Sequence, residues 1–254
     1  MAIANSGGKF SNFKGIITYL NEFQQTLQMC AGGCGQTPWW IQKTNLCRST
    51  EQTLVLIVYN NALSTFQKFR NTILTNLGVI RAYGNGEFFG MAKLASIRCI
   101  EGQFPAQWGL GILSFDNRFN AQKCCEAHTE IREQFWLGGV EMYILPLCTP
   151  CKSSLNYCLF QMDLYDIKNC SNFVGYVKDL FPLVLKFHGL IIAGSSDITV
   201  FRGSRSPRYI FIVQWSTPVD FHNYNEEAKV LLLRAGAACS SRIIFEIDPP
   251  ANCW

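Results

Sequence analysis

Residues 209–215 read YIFIVQW, and residues 54–58 read LVLIV. β-branched and aromatic residues of this kind favour strands. A strand with one face in water alternates apolar and polar residues, and neither run does so. We therefore expect both faces of each strand to be covered, one by helices and the other by a second sheet.

The elements predicted around these two strands follow the same order twice. The first set has strands at 54–59, 79–84, 91–100, 108–115 and 141–147, with helices at 63–77, capped by Gly78, and near 119–136. The second set has strands at 157–164, 190–202, 208–216 and 242–247, with helices at 172–187, followed by Gly189, and at 218–235. Gly84-Asn85-Gly86 is typical of a type I′ hairpin turn. The predicted fold class is α+β, with ferredoxin-like βαββαβ repeats at 53–147 and 155–248 whose sheets pack face to face as an internal pseudo-dimer. Such a chain needs no second copy, so we expect a monomer.

The first 50 residues differ from the rest. Apolar residues recur every three or four positions from Phe10 to Leu27, which predicts an amphipathic helix. An irregular segment with three cysteines follows. We interpret residues 1–50 as an extension stapled to the body by disulfides.

Twelve cysteines, an even number, are typical of a disulfide framework in an oxidising compartment. We expect at least four disulfides and a secreted, extracellular protein, whose leader would already have been removed. Zinc ligation and reduced core thiols are the alternatives, and Cys148-Thr149-Pro150-Cys151, between two strands, favours a structural staple. The candidates for disulfides are Cys30, Cys34, Cys47, Cys99, Cys124, Cys125, Cys148, Cys151, Cys158, Cys170, Cys239 and Cys253.

Several function classes are disfavoured. The net charge is only +4 and no basic run interleaves with aromatics, so we expect no nucleic-acid partner. No run of about 18 apolar residues predicts a membrane span. GxSxG, P-loop and GxGxxG motifs are lacking, and three histidines without ligand spacing make a metal site a poor prediction. We expect no cofactor.

The second set resembles the DUF1330 family. The resemblance rests on residues 155–248, where a proline within a helix, Pro182, is followed by a glycine after its end, Gly189. The matching segments are YVKDLFPL at 176–183, KFHGLIIAG at 186–194, VFRG at 200–203, RYIFIVQW at 208–215, FHNY at 221–224, LRA at 233–235 and SRIIF at 241–245. The first set matches in the order of its elements alone.

DUF1330 proteins belong to the dimeric α+β barrel superfamily, with its cofactor-independent monooxygenases, muconolactone isomerases and chlorite dismutases. The resemblance implies an intramolecular dimeric α+β barrel, closed within one chain, and a ligand cavity between sheet and helices. The side chains implied to line it are Tyr176, Phe187, Arg208, Phe211, Trp215 and Tyr224 in the second set and Phe69, Trp108, Phe115 and Phe135 in the first.

Histidine is the side chain whose pKa lies nearest neutrality, which makes the few histidines candidates for a catalytic base. His222, near Trp215 and Tyr224 in sequence pattern, is the first candidate and His188 the second; His128, among charged residues, is expected on a solvated face. The leading hypothesis is a secreted protein that binds a small hydrophobic or aromatic molecule and oxidises it with O2 without metal or flavin. A luciferase-type oxygenase is one instance. A non-catalytic carrier and a disulfide-rich structural or defence protein are the alternatives.

Overall fold

A computed structural model describes residues 51–60, 66–93, 95–105, 107–127, 132–133, 140–151, 157, 159–167, 169–235 and 238–248. Side chains are described in the same ranges, except at 66 and 232–240. The predicted N-terminal extension, with Cys30, Cys34 and Cys47, lies outside these residues. We call residues 53–147 the first half and residues 155–248 the second half.

The described elements alternate between strands and helices in both halves. The first half contains β1 (Thr53–Asn60), α1 (Phe66–Thr75), α2 (Leu77–Ala82), β2 (Glu87–Ala92), β3 (Arg98–Gly102), β4 (Trp108–Phe115), α3 (Arg118–Ala127) and β5 (Val140–Pro146). The second half contains β6 (Leu159–Asp166), α4 (Cys170–Lys186), β7 (Leu190–Ser195), β8 (Thr199–Arg202), β9 (Tyr209–Trp215), α5 (Pro218–Ala235) and β10 (Ala238–Asp248).

All strand pairs are antiparallel, and both halves pair in the same order. In the first half the order is β5-β1-β4-β2, and in the second it is β10-β6-β9-β7. The halves are joined twice, because β10 pairs with β2 and β3 while β5 pairs with β8. The fold is therefore α+β, as predicted, with one curled antiparallel sheet.

Alternate residues of the strands point into two different apolar layers. Leu54, Leu56, Met162 and Ile212 belong to the cluster that the two halves share inside the curled sheet. Val55 and Ile57 instead pack with α1 residues such as Phe69 on the helix side of the first half. The continuous apolar runs are thus explained by burial on both faces, as the sequence predicted.

The largest error of prediction lies at 79–84, where residues 79–82 end α2 and residues 83–84 form a turn rather than a strand. The chain continues helically through Gly78, and Ile80 is buried on the helix side of the sheet. Gly84 and Asn85 both have positive φ, at 70° and 51°, as a type I′ turn requires. This turn joins α2 to β2, however, and not two strands.

Helix α4 has a start and an end that its sequence explains. The Asn169 side chain accepts a hydrogen bond from the backbone N–H of Asn172 at 3.1 Å, which is N-capping. After Lys186 the left-handed position is taken by His188, with φ of 58°, and not by Gly189. Gly189 is needed for a different reason: a Cβ there would lie 2.7 Å from the Trp215 ring and 2.6 Å from Val184.

Candidate functional site

A fully buried ion pair lies on the helix side of the second half. Asp163 of β6 stands directly opposite Arg242 of β10. Arg242 Nε and Nη2 donate to Asp163 Oδ1 and Oδ2 at 3.0 and 2.9 Å, and neither residue is exposed. Burial, the largest single influence, would lower the pKa of Arg242, but the charge and hydrogen bonds of Asp163 together with Tyr165 and Tyr224 raise that pKa well above its usual value. Arg242 therefore remains charged at neutral pH.

Polar side chains of β6 and β9 extend this pair. Gln161 Nε2 and the Tyr165 hydroxyl each donate to Asp163 Oδ2, at 2.9 and 2.8 Å. Trp215 Nε1 donates to Gln161 Oε1 at 3.0 Å. Because Asp163 thus accepts four hydrogen bonds, its carboxylate is occupied and is poorly placed to remove a proton from a ligand.

Both helices and the first half contribute to the same network. The Tyr176 hydroxyl of α4 lies 3.0 Å from the Tyr165 hydroxyl, and Asn225 Oδ1 of α5 accepts from Arg242 Nη1 at 3.1 Å. Glu101 of β3 approaches Arg242 Nη1 at 3.5 Å. We call these residues the Asp163 network: Gln161, Asp163, Tyr165, Tyr176, Trp215, Asn225, Arg242 and Glu101.

Tyr224 of α5 lies against this network with an unsatisfied hydroxyl. Its ring is fully buried and packs on Trp215 with 4.7 Å between ring centroids. Among the described residues, the hydroxyl makes no hydrogen bond of good geometry. Burial, with a smaller effect of Tyr176, raises the pKa of Tyr224 well above its usual value, and Arg242 and, to a lesser extent, Gln161 offset part of the rise. Tyr224 is therefore a protonated donor at neutral pH.

The first half lacks this polar chemistry at the matching positions. Tyr59 of β1 stacks on Phe69 of α1, just as Tyr165 of β6 packs on Phe173 of the corresponding helix. Two residues before each tyrosine stand Ile57 and Asp163. Their cross-strand partners are Met142 and Arg242, respectively. An apolar pair thus occupies the place of the ion pair, so the polar site belongs to the second half.

Four of the predicted lining residues lie in or beside the Asp163 network. Tyr176, Phe211, Trp215 and Tyr224 are all buried on this side of the second half. Arg208 is exposed and donates to the Ile167 carbonyl at 2.9 Å, and Phe187 is half-buried beneath Lys186.

The predicted lining residues of the first half do not converge on one place. Phe69 and Phe115 pack under the helices of the first half, whereas Trp108 packs at the shared interior cluster. Phe135 lies outside the described residues.

The two candidate bases lie on the surface. His222 is exposed on the first turns of α5, and the His188 side chain is 79% exposed with Nδ1 3.7 Å from Asp220 Oδ1. Neither belongs to the Asp163 network, and their catalytic role stays a prediction. His128 lies outside the described residues.

Sequence reasoning missed the central residues of the network, namely Gln161, Asp163, Tyr165 and Arg242. A signal was present: Gln161 and Asp163 interrupt a strand that is otherwise apolar, on the same face because they are two residues apart. A charged residue within a buried strand requires a partner of opposite charge. Arg242, in the last apolar strand, is that partner.

The cysteines contradict the expectation of at least four disulfides. Cys99, Cys124, Cys125, Cys151 and Cys170 are free thiols in this structure. Since five of the twelve are free, the other seven can form at most three disulfides. Cys148 is disulfide-bonded while Cys151 is free, so the CxxC segment is not closed on itself. Cys124 and Cys125 are buried in α3, where they pack as small apolar side chains.

The described residues offer no cluster of three or more His, Cys, Asp or Glu side chains that could hold a metal ion. None of the helices described here combines the length and the apolar character needed to cross a bilayer.

No protein-family model matches the chain, and no curated protein matches it. Solved structures do. A candidate monooxygenase of Fusobacterium nucleatum has a TM-score of 0.51 at 7% identity, covering 78% of this chain and 93% of that one. An anthrone oxidase-like protein gives 0.49 at 10% identity, with 79% and 92% covered. A heme-binding protein of Thermus thermophilus gives 0.45 at 9% identity, with 77% and 90% covered. At such identities the likeness concerns the fold. It agrees with the barrel fold, while membership of DUF1330 and of its superfamily stays a prediction.

Proposed function

We propose that the second half binds a small aromatic molecule between its sheet and helices α4 and α5, and that the protein oxidises this molecule with O2. The observation that carries the proposal is the Tyr224 hydroxyl, a buried donor without a good partner beside the aromatic rings of Trp215 and Phe221. A buried polar group without a hydrogen bond is costly unless something satisfies it. An oxygen atom of a ligand would do so.

The electrostatics favour a ligand whose oxygen becomes negative. Tyr224 is held protonated, and an O–H donor stabilises a carbonyl oxygen more strongly once that oxygen becomes an enolate or phenolate. Arg242, although paired with Asp163, places a positively charged guanidinium near the Tyr224 hydroxyl. A site of this kind lowers the energy of a substrate anion, the species that reacts with O2 when no cofactor is used.

The proposed reaction converts an activated CH2 group into a carbonyl. One oxygen atom of O2 ends in the new C=O bond, and the other leaves as water with the two hydrogens of the CH2 group. The substrate itself supplies the electrons, so the reaction needs no metal or flavin. The candidate monooxygenase of the same fold is in keeping with this class of reaction.

Formation of the anion requires a base. Asp163 has its acceptor positions occupied, so His222 remains the proposed base, with His188 in reserve. His222 follows Phe221, whose ring packs edge-on against Trp215 at 6.2 Å. Its exposure would let it exchange the proton with solvent.

The wider proposals concern origin and compartment. The common pairing order of the two halves is in keeping with two diverged copies of one ferredoxin-like module. The pairing of strands between the halves within one chain is in keeping with a monomer. Secretion, and a luciferase-type reaction in which a dry site protects an excited product, stay proposals.

A non-catalytic carrier is the main alternative, because an unpaired donor beside aromatic rings also serves binding alone. A structural or defence role would need no site.

Anthrone is a suitable probe, because its CH2 group lies between two aromatic rings and opposite a carbonyl. Oxygen uptake and ketone formation would be measured for the wild type, His222→Ala, Tyr224→Phe and Tyr59→Phe. Tyr59→Phe is the matched control, since it also removes a buried hydroxyl without a partner among the described residues. We expect His222→Ala to lower turnover by about 10²–10⁴-fold.

The outcomes separate the hypotheses. Binding without oxygen uptake would support the carrier, and neither binding nor uptake would contradict the proposed site. Loss of activity on addition of a chelator would contradict the metal-free reaction.

A further inference from the structure

A second ion pair, with a buried carboxylate and a half-buried guanidinium, lies away from the Asp163 network, where β5 meets the segment between β8 and β9. Arg205 Nε donates to Glu141 Oε2 at 2.7 Å, and the Glu141 side chain is only 4% exposed. The Tyr143 hydroxyl donates to the same oxygen at 2.8 Å. Burial and the neighbouring Glu141 raise the pKa of Tyr143, so its hydroxyl stays a donor.

Aromatic rings cover one side of this pair. The Arg205 guanidinium lies 4.5 Å from the centroid of the Trp108 ring and 5.6 Å from that of Phe104. These two rings meet edge-to-face at 6.1 Å. Stacking of this kind fixes the plane of a guanidinium and therefore the directions of its N–H groups.

Comparison with Arg242 shows what Arg205 lacks. Arg242 uses Nε and Nη2, the side edge of its guanidinium, to bind both oxygens of Asp163. Arg205 binds Glu141 through Nε alone. Its Nη2 is buried, and no acceptor among the described residues reaches it. The Nη2 half of the side edge therefore makes no hydrogen bond within the described residues.

We propose that Glu141, Tyr143, Arg205, Phe104 and Trp108 form a second binding site, for a neutral aromatic carbonyl compound. The carbonyl oxygen would accept from Arg205 Nη2, and the aromatic ring would pack at the partly exposed Trp108. A carboxylate is disfavoured because it would lie beside the Glu141 carboxylate, which already neutralises Arg205, and like charges this close repel. This site shares none of its residues with the Asp163 network and does not rest on the function proposed there.

Three matched probes test the chemistry: acetophenone, ethylbenzene, which lacks the carbonyl, and benzoate, which carries a charge. They would be titrated into the full-length protein while the indole N–H signals are followed by NMR. Trp108→Phe assigns the signal of Trp108 among the six tryptophans. We expect acetophenone to shift this signal and to bind more tightly than ethylbenzene or benzoate.

Arg205→Lys is the decisive variant, because lysine keeps the charge facing Glu141 but cannot supply the planar side edge. We expect acetophenone to bind about three- to tenfold more weakly, the value of one hydrogen bond. Should Arg205→Lys fold poorly, Arg205→Met combined with Glu141→Gln removes both charges together. Tyr224→Phe should leave the titration unchanged.

Either of two results would overturn the inference. One is that acetophenone leaves the Trp108 signal unmoved, which would indicate a position filled by water alone. The other is that its affinity is the same in wild type and Arg205→Lys, or lower than that of benzoate.

Discussion

The guanidinium of Arg242 binds both carboxylate oxygens of Asp163, across the β6–β10 pair and without exposure of either side chain. The same two positions in the first half hold Ile57 and Met142. One chain therefore contains the buried ion pair and its apolar counterpart in equivalent surroundings. This allows the contribution of the pair to be measured against a natural replacement.

Asp163→Ile and Arg242→Met should each lower the free energy of unfolding by about 3–5 kcal/mol, because each leaves the opposite charge buried without a partner. The double variant, which copies Ile57 and Met142, should cost less than the sum of the single variants. Urea denaturation of all four proteins gives the coupling. As a control, the same cycle on the exposed pair Lys93 and Glu246 should be nearly additive. Additivity at Asp163 and Arg242 would contradict the prediction.

Tyr224→Phe should leave stability unchanged or slightly raised, because the hydroxyl that it removes makes no good hydrogen bond. Binding of anthrone should weaken by about two- to tenfold, since one ligand hydrogen bond is lost. Tyr59→Phe should have the same small effect on stability and no effect on binding. Thermal unfolding and fluorescence titration measure the two quantities. Equal effects of the two variants on binding would argue against a ligand at Tyr224.

Gly189→Ala should destabilise the protein by about 1–3 kcal/mol, because its Cβ would lie closer to the Trp215 ring and Val184 than van der Waals contact allows. Gly175→Ala in α4 is the control. A Cβ at Gly175 meets nothing within 4 Å, and alanine in a helix interior is about 0.5–1 kcal/mol more favourable than glycine. The two variants should therefore shift the denaturation midpoint in opposite directions. A stabilising Gly189→Ala would show that the β7 corner can move away from Trp215.

Asp220 should make stability depend on pH in the acid range. Hydrogen bonds from the hydroxyls of Thr217 and, to a lesser extent, Ser216 lower the pKa of Asp220 below its ordinary value of 3.8. A carboxylate with a lowered folded-state pKa stabilises the protein above its unfolded-state pKa, and this effect is lost as pH falls through the folded-state value. The stability difference between wild type and Asp220→Asn should therefore be constant near neutrality and shrink below about pH 3.8. Denaturation curves between pH 3 and 7 test this, and Thr217→Val should reduce the pH-dependent part. A difference that grows on acidification would contradict the assignment.

The free thiols should differ in reactivity. Burial raises the pKa of Cys124 and Cys151 to about 12, so almost no thiolate forms at pH 8. Iodoacetamide should label the exposed Cys99 first and reach Cys124 and Cys125 only after unfolding. Mass spectrometry of unreduced, unfolded protein should count at least five labelled cysteines. A smaller count would restore the expectation of four or more disulfides.

The sequence predicts most strands and little of the site. The predicted strands 91–100 and 190–202 are wrong in extent, because each covers parts of two strands, β2 with β3 and β7 with β8. Strands buried on both faces produce apolar runs that are easily recognised, and 108–115 and the helix at 218–235 were predicted with their observed bounds. The run at 79–84 was misassigned because a short apolar segment after Gly78 fits a buried helix as well as a strand. The resemblance directed attention to aromatic residues between sheet and helices, and Tyr176, Phe211, Trp215 and Tyr224 do converge there. The pairing of Asp163 with Arg242 depends on strand register, which no local pattern contains.

Because strands of the two halves pair with each other, separate production of either half would change its sheet. Each outer strand, β10 or β5, completes its hydrogen bonding only through a strand from the opposite half. Either half produced alone would present an unpaired edge, and such edges recruit other chains into aggregates. We therefore expect each half to need the other to cover that edge, even though their side chains differ as much as Ile57 and Asp163 do.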